Sequence, residues 1–210
     1  MRAKSVGKLL TAAGLVMVFA AAGIYAVYDR ADRDAGDSAQ ELLDALDAAD
    51  SGTSADNADS GADADADAYS YVEAVSAAGE MPQKTLKGYA LIGEIIIPSV
   101  GIDLPVLNDW SYNLLKIAPC RYSGTVEDGN LIILGHNYRS HFTPLKNVAV
   151  GDEVRFTDVN GMTYTYRVDE IETLYKTQLD DLTITDYDLT LFTCTTGGQS
   201  RFVARCSRTD

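Results

Sequence analysis

Three side chains able to perform acyl transfer stand at the ends of apolar runs. Cys194 closes LTLFTC, His136 closes NLIILGH, and Arg201 opens RFVARC. A cysteine thiolate is the strongest nucleophile among side chains. A nearby histidine can take the thiol proton and later protonate a departing amine. A guanidinium, always charged and forked, can hold the oxyanion formed when a carbonyl is attacked, or the backbone carbonyl of a peptide substrate. Cys194, His136 and Arg201 thus form a complete set for acyl transfer, and no Asp or Asn stands in a comparable place to orient the histidine.

Each of the three has rivals. Cys120 and Cys206 lie within or beside apolar runs and read as small buried hydrophobes. An odd cysteine count argues against a disulfide framework and leaves at least one thiol free. His141 follows the strand inside a predicted loop, so it is less firmly placed than His136. Arg205 shares a strand face with Arg201 but lies four residues on, about 13 Å away along a strand. It is expected to be an exposed charge away from the reactive end.

The three candidates can meet only if their strands end together. LTLFTC and RFVARC flank TTGGQS, which suits a hairpin connection. Opposed residues of an antiparallel pair have Cβ atoms about 4.5–5.5 Å apart, which brings Cys194 and Arg201 within reach of one bound group. The rest of residues 85–210 is also β in character. ALIGEIIIP, DLPVL and NLIILGH read as strands, and DEVRFTDVNGMTYTYRVDEIETLY reads as a hairpin turning on Asn160-Gly161. Helical turns fit DWSYNLLKIAP and FTPLKNV. Seven or eight short strands with little helix predict a closed barrel or a sandwich.

The first 84 residues differ. Arg2, Lys4 and Lys8 precede LLTAAGLVMVFAAAGIYAVY, residues 9–28, which carry no charge. About 20 apolar residues make roughly 30 Å of helix, a bilayer core. The basic flank predicts a cytoplasmic N-terminus and an exported remainder. A cleaved signal peptide is the alternative, with a small-residue site near residues 20–23, but the apolar run continues past it. Residues 29–80 hold about 15 acidic residues against Arg30 and Arg33, nearly all of the net charge of −14. That composition predicts a disordered spacer, although SAQELLDALDAAD (38–50) has helical apolar spacing. The expected organisation is therefore an anchor over 1–28, a spacer over 29–84 and a folded domain over 85–210. Without a Cys/His cluster or a phosphate loop, neither a metal nor a cofactor is expected. The near-neutral domain offers no basic field for nucleic acid.

LTLFTC, ILGHNYRSHFTPLKNVAVGDEV and RFVAR together resemble the sortases, membrane-anchored cysteine transpeptidases of Gram-positive bacteria. The resemblance covers most of residues 88–208. It implies an eight-stranded β-barrel with Cys194 as nucleophile, His136 as general acid/base and Arg201 holding substrate and oxyanion. It implies that Thr193 lines the substrate groove. Surface proteins bearing C-terminal LPxTG-like sorting signals would be the acyl donors, and an amine of a cell-wall precursor or a pilin the acceptor. Localisation would be at the cell membrane, single-pass, with the catalytic domain outside. The short stretch TQLDDLTITDY before DLTLFTC is unlike the longer helical insert of class B. No lid motif precedes the barrel, which speaks against class C, so a class A-, D- or E-like member is expected.

Two other readings stand beside this one. Another cell-wall cysteine peptidase or acyltransferase would fit the chemistry. The L,D-transpeptidases, however, usually show a Ser-His-Gly-Cys run, which is absent, and NlpC/P60 peptidases place Cys before His. A catalytically inert surface binding barrel would fit the fold, and loss of any one of the three residues would have favoured it.

Overall fold

The computed structural model describes residues 2–50 and 80–210. It divides into two units, one up to Asp34 and one from Ala35 to Asp210. The first unit is helical throughout, formed by the leading part of α1 (Arg2–Asp50). Leu15, Val16, Val18, Phe19, Ile24 and Val27 all lie exposed on it. A helix apolar on all sides has no aqueous face to offer. Among the described residues it is the one helix long and apolar enough to cross a membrane.

The spacer expected over 29–84 is described only at its two ends, residues 29–50 and 80–84. Residues 29–50 are helical, and the part from Ala35 onward belongs to the second unit. Ala35, Ala39, Leu42, Leu43 and Leu46 are buried at helical spacing, while Asp37, Glu41, Asp44 and Asp47 are exposed. Acidic residues confined to one helix face do not prevent the other face from packing. Glu41 pairs with Lys87. The expected spacer over 51–79 lies outside the described residues.

The second unit is built on a sheet. Its strands are β1 (Lys84–Leu86), β2 (Tyr89–Ile97), β3 (Ile102–Leu107), β4 (Cys120–Ser123), β5 (Leu131–Gly135), β6 (Glu153–Asp158), β7 (Thr163–Tyr175), β8 (Leu189–Cys194) and β9 (Ser200–Arg208). The order is β1-β2-β3-β4-β5-β8-β9-β7-β6, and a further β2–β6 pairing closes β2 to β9 into an eight-stranded barrel. β1 is a short extension on β2. The β6–β7 turn is the expected Asn-Gly hairpin. Gly161 takes φ 82°, and the Asp158 carboxylate accepts from the amides of Asn160 and Met162, both at 2.9 Å. One short helix, α2 (Leu179–Thr183), lies between β7 and β8.

Two apolar layers explain why the site strands are continuous apolar runs. Leu131, Ile133, Leu189, Leu191, Ala204 and Cys206 join residues of β2, β3, β6 and β7 in the barrel core. The alternate residues Ile132, Leu134, Phe192 and Val203 face a second cluster with Leu115, Cys120, Leu182, Leu42 and Leu46. A strand buried on both faces loses the polar alternation of a half-exposed one.

Candidate active site

β5 and β8 pair in parallel, with Gly135 opposite Thr193. Parallel strands finish on the same side, so His136 and Cys194, each one residue further on, leave the sheet side by side. β8 and β9 pair antiparallel, with Cys194 opposite Arg201. The period of two along a strand puts Cys194 on the face of Phe192, and Arg201 on the face of Val203. All three candidates are half-buried. The structure thus gathers Cys194, His136 and Arg201 at one end of three adjacent strands.

The turn between Cys194 and Arg201 is held by its own bonds. The Thr195 amide donates to Ser200 O at 3.0 Å and the Gly198 amide to Thr195 O at 2.8 Å. Gly197 and Gly198 have φ of 87° and 69°, a left-handed conformation that side chains resist. The Arg201 guanidinium donates through Nη1 to Gly198 O at 3.2 Å and Ser200 O at 3.3 Å. These acceptors are backbone carbonyls, the same kind of oxygen a peptide substrate presents.

The segment after His136 folds back onto its strand. The amide of Phe142 donates to His136 O at 3.1 Å, and Thr143 Oγ1 donates to Asn137 O at 2.7 Å. A Cβ on Gly135 would stand 2.2 Å from Phe142 Cγ, so only glycine fits immediately before the histidine. The Tyr138 ring stacks on the His136 ring, centroids 3.8 Å apart and planes at 19°. That stack had no signal in the sequence beyond an aromatic two positions after the histidine. A second unread feature is the aromatic succession Phe192–Tyr122–Trp110–Tyr112, with neighbouring centroids 5.4, 5.5 and 6.2 Å apart. It starts two residues before Cys194 on the same face and ends at exposed Tyr112.

Other candidates are placed differently from expectation. Thr193 is fully buried, on the barrel-core face opposite to that of Cys194. Neighbouring residues on a strand point to opposite faces, so its side chain points toward the barrel core and that of Cys194 away from it. Arg205 is not the exposed charge expected of it, with only 3 % exposure. It donates to Glu172 Oε1 at 2.8 Å, Leu182 O at 3.0 Å and Thr190 Oγ1 at 3.1 Å, and also to Asp181 O. α2 offers a bare backbone there that a buried guanidinium can satisfy. His141 is buried, with Nε2 at 3.3 Å from Ala35 O. Cys120 and Cys206 are buried free thiols. Burial pushes the Cys120 thiol up to about 12 and that of Cys206 further up, so both stay protonated and inert near neutrality.

The family profile described as Sortase domain matches residues 95–209. Sortase A from Corynebacterium diphtheriae is 26% identical with a TM-score of 0.52, over 58% of this chain and 62% of that one. A Clostridium perfringens sortase C, solved with the C-terminal cell wall sorting motif, is 27% identical with a TM-score of 0.51, over 57% of this chain and 71% of that one. The chain therefore spans less than two thirds of the corynebacterial enzyme. No curated protein matches it.

Proposed function

The chain belongs to the sortase family, and from that premise we propose that it is a cysteine transpeptidase acting on LPxTG-like sorting signals. Cys194 is the nucleophile, His136 the general acid/base and Arg201 the holder of the oxyanion. The observation that carries the assignment is the strand register. Cys194 faces Arg201, and the Gly135–Thr193 pairing brings His136 to the same end.

In the proposed reaction the Cys194 thiol gives its proton to His136, and the Sγ thiolate attacks the carbonyl carbon of the sorting-signal Thr. The carbonyl oxygen takes the negative charge and accepts from the Arg201 fork, which exchanges its present carbonyl acceptors for the substrate. As the tetrahedral centre collapses, the C–N bond breaks and the leaving amine takes a proton from His136. A thioester remains on Cys194. An amine of a cell-wall precursor or a pilin then gives up a proton to His136, attacks the thioester and releases the thiolate. The aromatic succession from Phe192 to Tyr112 supplies an apolar wall beside the thiol. The apolar part of α1 anchors the enzyme in a single pass, its basic N-terminus inside and the catalytic unit outside. The short β7–β8 connection, residues 176–188, holds only the five-residue α2, which speaks against a class B member.

The test is a panel of LPxTG-like peptides incubated with the full chain and then analysed by intact-mass spectrometry. A mass gain equal to the peptide through its Thr, mapped to Cys194 and lost on adding an amine, is expected. An adduct on Cys120 or Cys206, or none on any peptide, would overturn the proposal.

A further inference from the structure

The loop after His136 connects the proposed catalytic ring to the helical segment Ala35–Asp50. Tyr138 stacks on His136 at 3.8 Å. The His141 ring meets the Tyr138 ring edge-on, centroids 5.6 Å apart and planes at 63°. Nε2 of the buried His141 lies 3.3 Å from the carbonyl of Ala35, and in the tautomer protonated there it donates. Beside that contact the helix backbone comes close to the same loop, where a Cβ on Gly36 would stand 3.0 Å from Ser140 Cβ. Ala35 and Ala39 are buried next to it. Three stacked or edge-packed rings and one hydrogen bond thus run from a helix carbonyl to the face of His136.

A histidine that must accept and return a proton needs a fixed ring plane. Its imidazole turns about two side-chain bonds, and only contacts fix it. The Tyr138 face constrains His136, the His141 edge constrains Tyr138, and the helix holds His141. We propose that Tyr138 and His141 are positioning residues, which make the orientation of His136 depend on docking of the Ala35–Asp50 helix. The inference rests on the assignment of His136 as general acid/base. It adds that the segment following the apolar run is part of the catalytic apparatus and more than a tether. An undocked helix would leave the acid/base misdirected.

The chain has two histidines, so a spectrum of ring-labelled histidine in the detergent-solubilised full chain contains two ring signals. His136→Ala, which leaves His141 as the one imidazole observed, assigns them. Gly36→Val, which pushes the helix away from Ser140, should move the His136 signal and lower kcat roughly ten- to a hundredfold with KM nearly unchanged. Tyr138→Leu should do the same, whereas Tyr138→Phe, which keeps the stacking face, should restore both. If Gly36→Val unfolds the protein, His141→Phe serves as the second variant. It removes the bond to Ala35 and should move the His136 signal in a protein that still melts cooperatively. A His136 signal and kcat indifferent to both the helix and His141 variants would overturn the proposal, as would an equal loss in Tyr138→Phe and Tyr138→Leu. Failure of the transpeptidase reading would appear elsewhere, as a wild-type chain that forms no thioacyl adduct. The His136 signal would still report whether the coupling exists.

Discussion

The β8–β9 hairpin carries a cysteine and an arginine at each of its two ends, and the ends behave oppositely. At the turn, Cys194 faces Arg201, both half-buried beside a glycine turn. At the far end, Cys206 faces Leu189 in the barrel core, and Arg205 faces Thr190 beneath α2. Residue type is the same at both ends, so environment alone divides them. The far thiol is closed off and held protonated by burial. The far guanidinium is committed to four acceptors from Glu172, Leu182, Thr190 and Asp181. The near pair has access to solvent and to the strand end where His136 emerges. A cysteine or arginine near a strand end becomes a candidate for chemistry only when the structure leaves it partly uncommitted.

The contrast breaks most sharply at Cys194. Cys194→Ala should abolish thioacyl formation and transfer without lowering the melting temperature appreciably, because the side chain is half-buried and fills no core position. Retained turnover in that variant, measured by peptide cleavage beside a melting curve, would move the nucleophile elsewhere. Arg201→Lys comes next. It keeps the charge and loses the fork, and removing one oxyanion donor costs about 2.7–4 kcal/mol, roughly 100- to 1,000-fold in kcat. Its melting curve should match the wild type. A mild loss would reduce Arg201 to a charge that serves its own turn.

Arg205→Lys should show the reverse pattern. An ammonium cannot reach acceptors on both α2 and Glu172, so buried carbonyls go unpaired. The expected cost is on the order of 2–4 kcal/mol of stability, with kcat per folded molecule largely preserved. Urea unfolding and an active-site titration read the two quantities separately. Equal stability in Arg201→Lys and Arg205→Lys would erase the contrast between the hairpin ends.

Which of these features could be read from residue order follows from how each is made. The seven longer strands and the Asn160-Gly161 hairpin are written locally, in alternation and turn residues. So are Cys194, His136 and Arg201, each marking the end of an apolar run. β1 and β4 were not legible, because three and four residues carry too little pattern and β4 is interrupted by a bulge between Arg121 and Ser123. The fate of Arg205 depends on α2, five residues brought over it by the β7–β8 connection. Nothing in RFVARC announces that partner. The buried face of Ala39–Leu46 was visible as helical spacing but outweighed by acidic composition, which says how a segment meets water and not whether its other face packs. Thr193 was assigned from a motif, whereas strand alternation alone places it on the face opposite Cys194.

The smallest expected effect sharpens the contrast between the thiols through pH. Iodoacetamide at about pH 8 should modify Cys194 and spare Cys206 and Cys120 in the folded chain, with all three modified in urea. The same burial has a consequence for stability. In the folded protein, burial raises the pKa of both Cys206 and Cys120, the latter to about 12, above their ordinary 9.0. As pH climbs through about 9, the unfolded chain therefore sheds thiol protons that the folded chain keeps, and stability falls with rising pH. The fall continues to about pH 12, and above about pH 10 Tyr166, also raised by burial, adds a slope of the same sign. Cys206→Ala should cost on the order of 1 kcal/mol at neutral pH through lost packing. It should also flatten the fall between about pH 9 and 10, where only one buried thiol then remains. Urea midpoints across that range measure the slope. An unchanged slope in Cys206→Ala would mean that the far thiol ionises in the folded state and that burial does not separate the two ends of the hairpin.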